Sequence, residues 1–392
     1  MILIILVLSC YPCEFLFCAR GVSAVRFSSQ IYFINPDLRF QKTVAENLSM
    51  FDKLIGNSHV KEILQRMIRT RRVPNSLLFV GADGIGKREF ALETAKAFAC
   101  QNPRETRQAC DACGACKRAE KFNFPNSRDK DDNEKIFFSE HPDIGLIRQA
   151  GKFITVNQMR ELENESNFRP FEAAARFFLI DEAERMNEAA ANALLKTLEE
   201  PSPSSHIFLI TSRPAALLPT IRSRCQTLRF APVEPKQIEG FLESKKQFSV
   251  ADAELLSKLS RGSIGRALNL DLGKFRERRE AMLKALDGLI TKPNRAVLLK
   301  TAEEICDAKN KDYYESFLEI LEILIHDVWT LRLGRDEIVN VDLKSQLEKL
   351  SENTESKRLS EWLTEIETLR ENFTVNLNRK IATDALFMQM AN

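Results

Sequence analysis

A glycine-rich run, GADGIGK at residues 81–87, constrains the fold of this chain more than any other feature. It directly follows the apolar segment SLLFV and directly precedes the helical pattern REFALETAKAFAC. In that context the backbone N–H groups of the turn face an anion at the start of the helix, and Lys87 can reach terminal phosphates. The pattern predicts a phosphate-binding loop (P-loop) in a parallel α/β sheet; a glycine turn without a ligand is the alternative. The predicted binding residues are Gly81, Gly84, Gly86 and Lys87.

The residue after Lys87 departs from the usual P-loop pattern. A Ser or Thr hydroxyl normally coordinates Mg²⁺ at this position, and this chain has Arg88 instead. Because the ion loses an inner ligand, we expect weak Mg²⁺ binding and poor phosphoryl transfer, even where ATP binds to the loop and Arg88. The sequence therefore predicts a nucleotide site with little hydrolytic activity of its own.

Acidic residues follow a second strand-like segment. RFFLI at 176–180 is followed directly by Asp181 and Glu182. This resembles a Walker B element, in which Asp181 would hold Mg²⁺ and Glu182 would orient a water molecule. A solvated turn is the alternative, and the presence of an upstream P-loop favours the functional interpretation.

Other apolar segments predict the rest of the sheet, since they are short and rich in branched or aromatic residues. They are DIGLI at 143–147, HIFLI at 206–210 and QTLRF at 226–230. Helices are predicted at 58–70 and 87–100, and a third begins after Asn187, whose side chain can cap it, and ends at Pro201. The charged, turn-rich stretch at 122–135 predicts an exposed, mobile insertion.

Beyond Pro232 the pattern becomes helical. Apolar residues three and four apart predict one buried helix face: Tyr314, Phe317, Leu321, Leu324 and Val328. The turn RGSIGRAL, followed by Gly273, indicates a small helical unit at 233–272 and a separate helical domain at 273–392.

Four of the nine cysteines form a cluster by their spacing. Three follow the pattern C-x2-C-x2-C, and one lies a short loop upstream: Cys110, Cys113, Cys116 and Cys100. Four thiolates without an open position suit a structural Zn²⁺. An iron–sulfur cluster fits less well, because the fourth cysteine precedes the triplet and no Pro follows it. Buried or redox-active thiols are the remaining alternative.

The charge balance limits the choice of partners. Lys and Arg number 57 against 55 Asp and Glu, so nucleic-acid contact would have to come from a local patch. Candidate phosphate contacts are Arg160 and Lys196.

The first 49 residues begin with the apolar run MILIILVLSCYPCEFLFC. A signal peptide would carry a basic start, and a membrane anchor would not be interrupted by Pro12 and Glu14. We therefore expect residues 1–49 to be a disordered or untranslated extension, with Met50 as the natural start and the cytoplasm as the location.

Several motifs together resemble those of the ATPase-type subunits of bacterial DNA polymerase III clamp loaders, which are AAA+ proteins. They are LIGN at 54–57, GADGIGK, the cysteine set, HPD at 141–143, LIDEAERMNEAAANALLKTLEEP, TSRPAALLPTIRSRC and GSIGRAL. The resemblance runs from Met50 to about Leu270, and LNRKIATDALFMQM resembles the family's last collar helix. It implies an AAA+ P-loop domain at 50–232 with a zinc-binding insertion at 100–116, then a helical lid and an all-α collar.

The resemblance also implies roles for individual residues. Arg224 matches the arginine of the SRC motif, which enters the ATP site of a neighbouring subunit in trans; by composition alone, Arg222 and Arg224 in a turn would indicate only salt bridges. Thr211 or Ser212 matches the polar phosphate sensor, and Arg266 matches the sensor 2 arginine of the lid. His141 is expected to be structural.

In this family the motor subunits keep GKT or GKS, so Arg88 favours a stator that supplies Arg224 but does not hydrolyse ATP. The alternative is a gamma/tau-type ATPase motor. The implied partners are gamma/tau and delta subunits in a hetero-pentamer, the sliding clamp and primed DNA, without a membrane. The chain would be a component of a DNA-directed DNA polymerase holoenzyme with no polymerase site of its own.

Overall fold

The computed structural model describes most of the chain, which divides into two units at residues 1–53 and 54–392. The described residues are 15–17, 23–27, 30–34, 50–124, 135–245, 247–291, 295–307, 313–371 and 378–391. In the first unit, β1 (Phe15–Phe17), β2 (Ser23–Phe27) and β3 (Gln30–Ile34) pair antiparallel in that order. The rest of residues 1–49 lies outside the described residues, and the start at Met50 stays a prediction.

The second unit is built on a six-stranded sheet with the order β5-β6-β7-β8-β4-β9. Its strands are β4 (Ser76–Val80), β5 (Phe137–Phe138), β6 (Ile144–Ile147), β7 (Arg176–Ile180), β8 (Ser205–Thr211) and β9 (Gln226–Arg229). The pairs are parallel except β5 with β6. The predicted parallel α/β sheet is confirmed, and only the two-residue edge strand β5 was not foreseen because it is too short to show alternation.

Helices pack on both faces of this sheet. They are α1 (Ser58–Thr70), α2 (Lys87–Ala99), α3 (Gly114–Ala119), α4 (Val156–Ser166), α5 (Glu188–Glu199) and α6 (Pro219–Arg224). Every residue of β4 and β7 is buried, which explains their continuous apolar sequences. Asn187 caps α5 as predicted, because its side chain accepts a hydrogen bond from Ala190 N at 2.8 Å.

One local prediction was wrong. Arg222 and Arg224 were expected to lie in a turn, and they lie in the short helix α6. Pro219 at its first position favours helical φ, and six residues are too few to show a helical period in the sequence.

In the part of the chain that the structure describes, the regular elements after Pro232 are helices joined by turns and loops. They are α7 (Pro235–Ser244), α8 (Val250–Leu259), α9 (Ile264–Asn269), α10 (Leu272–Ile290), α11 (Arg295–Cys306), α12 (Tyr314–Arg332), α13 (Lys344–Glu352), α14 (Ser356–Glu371) and α15 (Arg379–Met390). The predicted apolar face of α12 is buried in the core of the C-terminal helices. Leu255 and Leu259 of α8 belong to the same core, so the α7–α9 segment and the C-terminal helices pack together.

The insertion predicted at 122–135 is described only at its two ends. Residues 125–134, the centre of the predicted insertion, lie outside the described residues. Within the described ranges, none of the helices has both the length and the apolar character needed to cross a bilayer.

Candidate functional site

The P-loop lies between β4 and α2, as the sequence predicts. Gly84 and Gly86 have φ values of +71° and +94°, a left-handed conformation that glycine adopts without strain. Lys87 is only 6% exposed, and its Nζ donates to the carbonyl oxygens of Gly81 and Ala82 at 2.7 and 2.6 Å. Burial lowers the pKa of Lys87, and the nearby carboxylates of Asp83, Glu184 and Asp181 partly offset this. The ammonium group is thus turned back onto the loop.

Arg88 reaches the acidic residue at the end of β7. Its Nη1 lies 3.3 Å from Oδ2 of Asp181, and its Nη2 lies 3.5 Å from Oε1 of Glu89. Burial raises the pKa of Asp181, and the Arg88 charge opposes that rise. The structure therefore pairs the residue that replaces the metal-binding hydroxyl with the carboxylate predicted to hold the metal.

The other Walker B acid does not lie in this pair. Glu182 is half exposed and pairs with Arg185, 3.6 Å away. The buried acid is Glu184, which accepts hydrogen bonds from Ser212 Oγ at 2.7 Å and from Ser212 N at 3.2 Å. Although burial opposes it, hydrogen bonding from Ser212 holds the pKa of Glu184 below its usual value. The sequence interpretation missed Glu184, whose only signal was the third acid of IDEAE.

The predicted phosphate sensor lies beside the P-loop. Thr211 ends β8 and pairs in register with Val80 of β4, and its carbonyl oxygen accepts from Gly81 N at 3.2 Å. Its buried Oγ1 accepts from Arg213 N at 3.1 Å. A depression of about 520 Å³ adjoins these residues. It is lined by Ala82, Asp83, Glu182, Glu184, Arg185, Ser212 and Arg213.

The turn before α9 closes directly on the P-loop, and we call this contact the P-loop clasp. Ser263 Oγ donates to the Asp83 carbonyl at 2.7 Å, and Gly265 N donates to the Gly84 carbonyl at 2.8 Å. A Cβ on Gly265 would lie 3.0 Å from Gly84 Cα. Two glycines therefore let the two backbones touch.

Arg266, the predicted sensor 2 residue, pairs with the C-terminal helices. Its Nη2 lies 2.5 Å from Oε1 of Glu319 on α12, and Arg261 lies 3.7 Å from the same oxygen. Although its neighbour Gly265 touches the P-loop, the Arg266 guanidinium bridges α9 and α12. Its role at a nucleotide stays a prediction.

Arg224 is the last residue of α6, at the surface of the sheet domain. Its Nη1 donates to the Thr220 carbonyl at 3.0 Å, and its Nη2 lies 2.6 Å from Oε1 of Glu199, the last residue of α5. The side chain is 34% exposed. Next to it, Cys225 is buried, as expected of a core residue.

The four predicted cysteines come together, and we call them the cysteine cluster. Their sulfur atoms all lie within 4.8 Å of one another. The Sγ atoms of Cys100 and Cys113 are 4.0 Å apart, as are those of Cys110 and Cys116. Zinc–sulfur bonds of about 2.3 Å give a tetrahedron with edges of about 3.8 Å, so the cluster fits such an ion and is too open for disulfides.

Backbone N–H groups point at three of these sulfur atoms, while burial raises the pKa of Cys100 and of Cys116. Cys110 N donates to Cys100 Sγ at 3.3 Å, Cys113 N to Cys110 Sγ at 3.3 Å, and Cys116 N to Cys113 Sγ at 3.4 Å. Although burial opposes it, the N–H groups of Cys116 and Gln101 lower the pKa of Cys113 to about 6. The cluster can therefore hold a metal ion.

A buried lysine fixes the cluster to the P-loop helix. Lys96 of α2 is fully buried, and its Nζ lies 2.6 Å from Glu93, 2.8 Å from Asp111 and 2.5 Å from Glu120. Burial alone would lower the pKa of Lys96, and these carboxylates raise it above its usual value. Sequence patterns did not reveal this site, because the acids are 3 to 24 positions away from Lys96.

The HPD turn has a structural environment. His141 is buried, and its Nδ1 accepts from Asp143 N at 3.3 Å. The Asp143 carboxylate accepts from the backbone N–H groups of Phe171, Glu172 and Ala173 at 2.8 Å each. These hydrogen bonds stabilise the turn and join it to the segment at 171–173.

The two candidate DNA contacts differ in their surroundings. Arg160 is exposed on α4, whereas Lys196 pairs with Glu163 at 2.5 Å. Contact with DNA stays a prediction for both.

A P-loop after an internal parallel strand, an acid at the end of β7, which β8 separates from that strand, and a helical lid define a class, the AAA+ type of P-loop protein. Similarity to known proteins identifies a family within this class. A family model described as DNA polymerase III, delta subunit, matches residues 56–234, and one described as its C-terminal part matches residues 274–390.

Individual relatives agree with these models. DNA polymerase III subunit delta' of Bacillus subtilis is 32% identical over 286 residues, 72% of this chain and 80% of the relative. The Escherichia coli subunit delta' is 28% identical, with 81% and 88% covered, and the Bacillus subtilis subunit tau is 26% identical, with 69% and 46% covered. The chain belongs to the family of DNA polymerase III delta' subunits.

A DNA polymerase III gamma subunit-related protein from Thermotoga maritima gives a TM-score of 0.41 at 20% identity, covering 84% of this chain and 98% of that one.

Proposed function

We propose that this chain is a stator-type subunit of a clamp loader, which supplies Arg224 to the ATP of a neighbouring subunit and does not hydrolyse ATP itself. The observation that carries this proposal is the contact of Arg88 with Asp181. The partners would be gamma/tau and delta subunits in a cytoplasmic hetero-pentamer that places the sliding clamp on primed DNA.

A guanidinium in this position disfavours Mg²⁺. The ion needs oxygen ligands in near-octahedral geometry, and Arg88 offers only N–H donors and a positive charge. Arg88 also pairs with the Asp181 carboxylate, which is the predicted ligand of the ion. Without the metal, the charge that develops during phosphoryl transfer is not neutralised.

Arg224 is suited to act outside its own chain. A planar guanidinium can bind phosphate oxygens with two parallel hydrogen bonds. Its pair with Glu199 is partly exposed, and exposed pairs contribute only about 0–1 kcal/mol. A neighbour's terminal phosphate can therefore replace Glu199 at small cost.

Steady-state ATP turnover by the purified chain tests the missing-hydroxyl explanation. We expect turnover at the background of the assay, Mg²⁺-dependent turnover in Arg88→Thr, and none in Arg88→Ala, which removes the pair without adding a hydroxyl. Brisk turnover by the wild-type chain would contradict the proposal.

That contrary result would favour a gamma/tau-type motor, the second candidate. The presence of Lys87, Asp181 and Glu182 supports it. If the chain is a motor, its ATP turnover should increase little in Arg88→Thr.

We further propose that the cysteine cluster holds one structural Zn²⁺. The four sulfur atoms supply the soft ligands and tetrahedral separations that this ion prefers. The ion would brace the loop between α2 and α3, without an open position for catalysis. Metal analysis of the purified chain tests this.

A further inference from the structure

Arg71 lies beside the cysteine cluster in an unusual electrostatic environment. It follows the last residue of α1, and its guanidinium lies 4.6 Å from the centre of the Phe98 ring. Phe98 is on α2, two residues before Cys100. Arg71 Nη1 is buried and lacks a hydrogen-bond partner in the part of the chain that the structure describes.

A second arginine adds to the positive charge. Burial lowers the pKa of Arg71, the charge of Arg107 lowers it further, and the Cys100 thiolate acts in the opposite direction. Arg107 lies in the loop between Cys100 and Cys110, where its N donates to Arg104 O at 2.7 Å. Within the described ranges, neither Arg71 nor Arg107 forms a salt bridge with a carboxylate.

Two neighbouring cations without an anion are costly, and a buried N–H group without a partner adds to that cost. The anion that the site offers is the cysteine cluster. A Zn²⁺ ion with four thiolates carries a net charge of −2, since +2 and −4 sum to −2. Two guanidinium groups neutralise this charge.

We propose that Arg71 and Arg107 are the counter-ions of the metal-loaded cysteine cluster, with Arg71 as a half-buried positioning residue that slows metal loss. The proposal rests on the proposed Zn²⁺ site. It assigns a role to an arginine that forms no ion pair with a carboxylate among the described residues.

The two arginines differ in their exposure to solvent. Arg71 is half-buried against the Phe98 ring with its Nη1 out of solvent, so its effect should resist salt more than that of Arg107, which is exposed and screened at high ionic strength. Groups that surround metal ligands typically change metal affinity by about 10–100-fold when altered.

Release of Zn²⁺ from the full chain to a chromophoric chelator tests the proposal. We expect Arg71→Gln to release the ion about 10-fold faster or more at both low and high salt. Arg71→Lys keeps the charge and should restore most of the retention. Arg107→Gln should accelerate release only at low salt.

Arg72→Gln is the matched control, because Arg72 is an exposed arginine adjacent to Arg71. It should release Zn²⁺ at the wild-type rate. The charge-transfer absorption of Co²⁺-loaded protein provides a second readout, which Arg71→Gln should shift and Arg72→Gln should leave unchanged. Circular dichroism reports whether each variant is folded, and Arg71→Lys and Arg107→Gln keep the proposal testable if Arg71→Gln unfolds.

The outcomes separate the two proposals. If the wild-type chain takes up no Zn²⁺, both the metal site and its counter-ions are refuted. If Zn²⁺ binds and the Arg71 and Arg107 variants release it at the wild-type rate, only the counter-ion proposal is wrong. Equal acceleration by Arg72→Gln would also overturn it, because general surface charge would then explain the effect.

Discussion

Arg88 shows how one side chain can change the chemistry of a P-loop. The glycine turn, Lys87 and the acid at the end of β7 are all in place, yet the cation next to Asp181 is a guanidinium. Unlike Mg²⁺, the guanidinium is covalently attached to the chain, and it cannot coordinate a water molecule or a phosphate oxygen as a ligand. Under the proposed function, the loop keeps its shape but lacks the hydroxyl ligand that would organise Mg²⁺.

A buried histidine makes a separate prediction at the residue scale. His206 stacks on Phe177 with ring centroids 4.9 Å apart, and its Nδ1 lies 3.1 Å from the Pro74 carbonyl oxygen. Burial lowers the pKa of His206 from 6.5, so the folded state takes up a proton less readily than the unfolded state. Its contribution to stability is therefore complete above pH 6.5 and is lost as the pH falls from 6.5 through the lower folded-state pKa.

We expect His206→Gln, which keeps a donor for Pro74, to lose less stability than the wild type on acidification. The difference within the titration window is at most about 1.4 kcal/mol per pH unit. Urea unfolding at several pH values measures it. His59→Gln, at an exposed site, is the control, and parallel pH profiles for wild type and His206→Gln would contradict the expectation.

The sequence predicted those parts of the site whose residues lie close together along the chain. The P-loop, the cysteine cluster and Asp181 could be found because short motifs carry them. The partners of Arg266, Arg88 and Arg224 could not, since Glu319, Asp181 and Glu199 lie 53, 93 and 25 positions away. No local period encodes such pairs, which arise only when the elements pack.

At the scale of elements, the P-loop clasp joins the sheet to its lid. Hydrogen bonds from Ser263 and Gly265 reach Asp83 and Gly84 across about 180 residues of sequence. The sequence predicted both glycine-rich turns but could not show that they touch. Strands and long helices were predicted well because burial imposes a clear pattern, whereas α6 and β5 were too short to carry one.

Gly265→Ala tests the clasp. The added Cβ would lie 3.0 Å from Gly84 Cα and 3.2 Å from Gly84 O, so the lid must move away from the loop. We expect a loss of about 1–3 kcal/mol in the free energy of unfolding. Hydrogen exchange at Gly265 N should also accelerate.

Gly240→Ala is the control for that experiment. Gly240 lies within α7 with nothing within 4 Å of an added Cβ, so alanine should stabilise the helix by about 0.5–1 kcal/mol. Equal stability of Gly265→Ala and the wild type, with unchanged exchange, would show that the clasp does not hold the lid.

At the scale of the whole molecule, α9 links three parts of the second unit. Its N-terminal turn contacts the P-loop, Arg266 pairs with Glu319 of α12, and Ala267 packs in the core of α7 and α8. Leu255 and Leu259 extend the connection into the C-terminal core. This packing joins the P-loop, the α7–α9 segment and the C-terminal helices of the second unit.

Single-turnover ATP hydrolysis by the reconstituted complex tests the central claim most directly. With Arg224→Ala, we predict that the complex assembles and that the ATP at the interface served by this chain is hydrolysed about 10³-fold more slowly. Arg222→Ala, which changes an exposed arginine of the same helix, should hydrolyse at the wild-type rate. Wild-type hydrolysis by the Arg224→Ala complex would contradict the trans role.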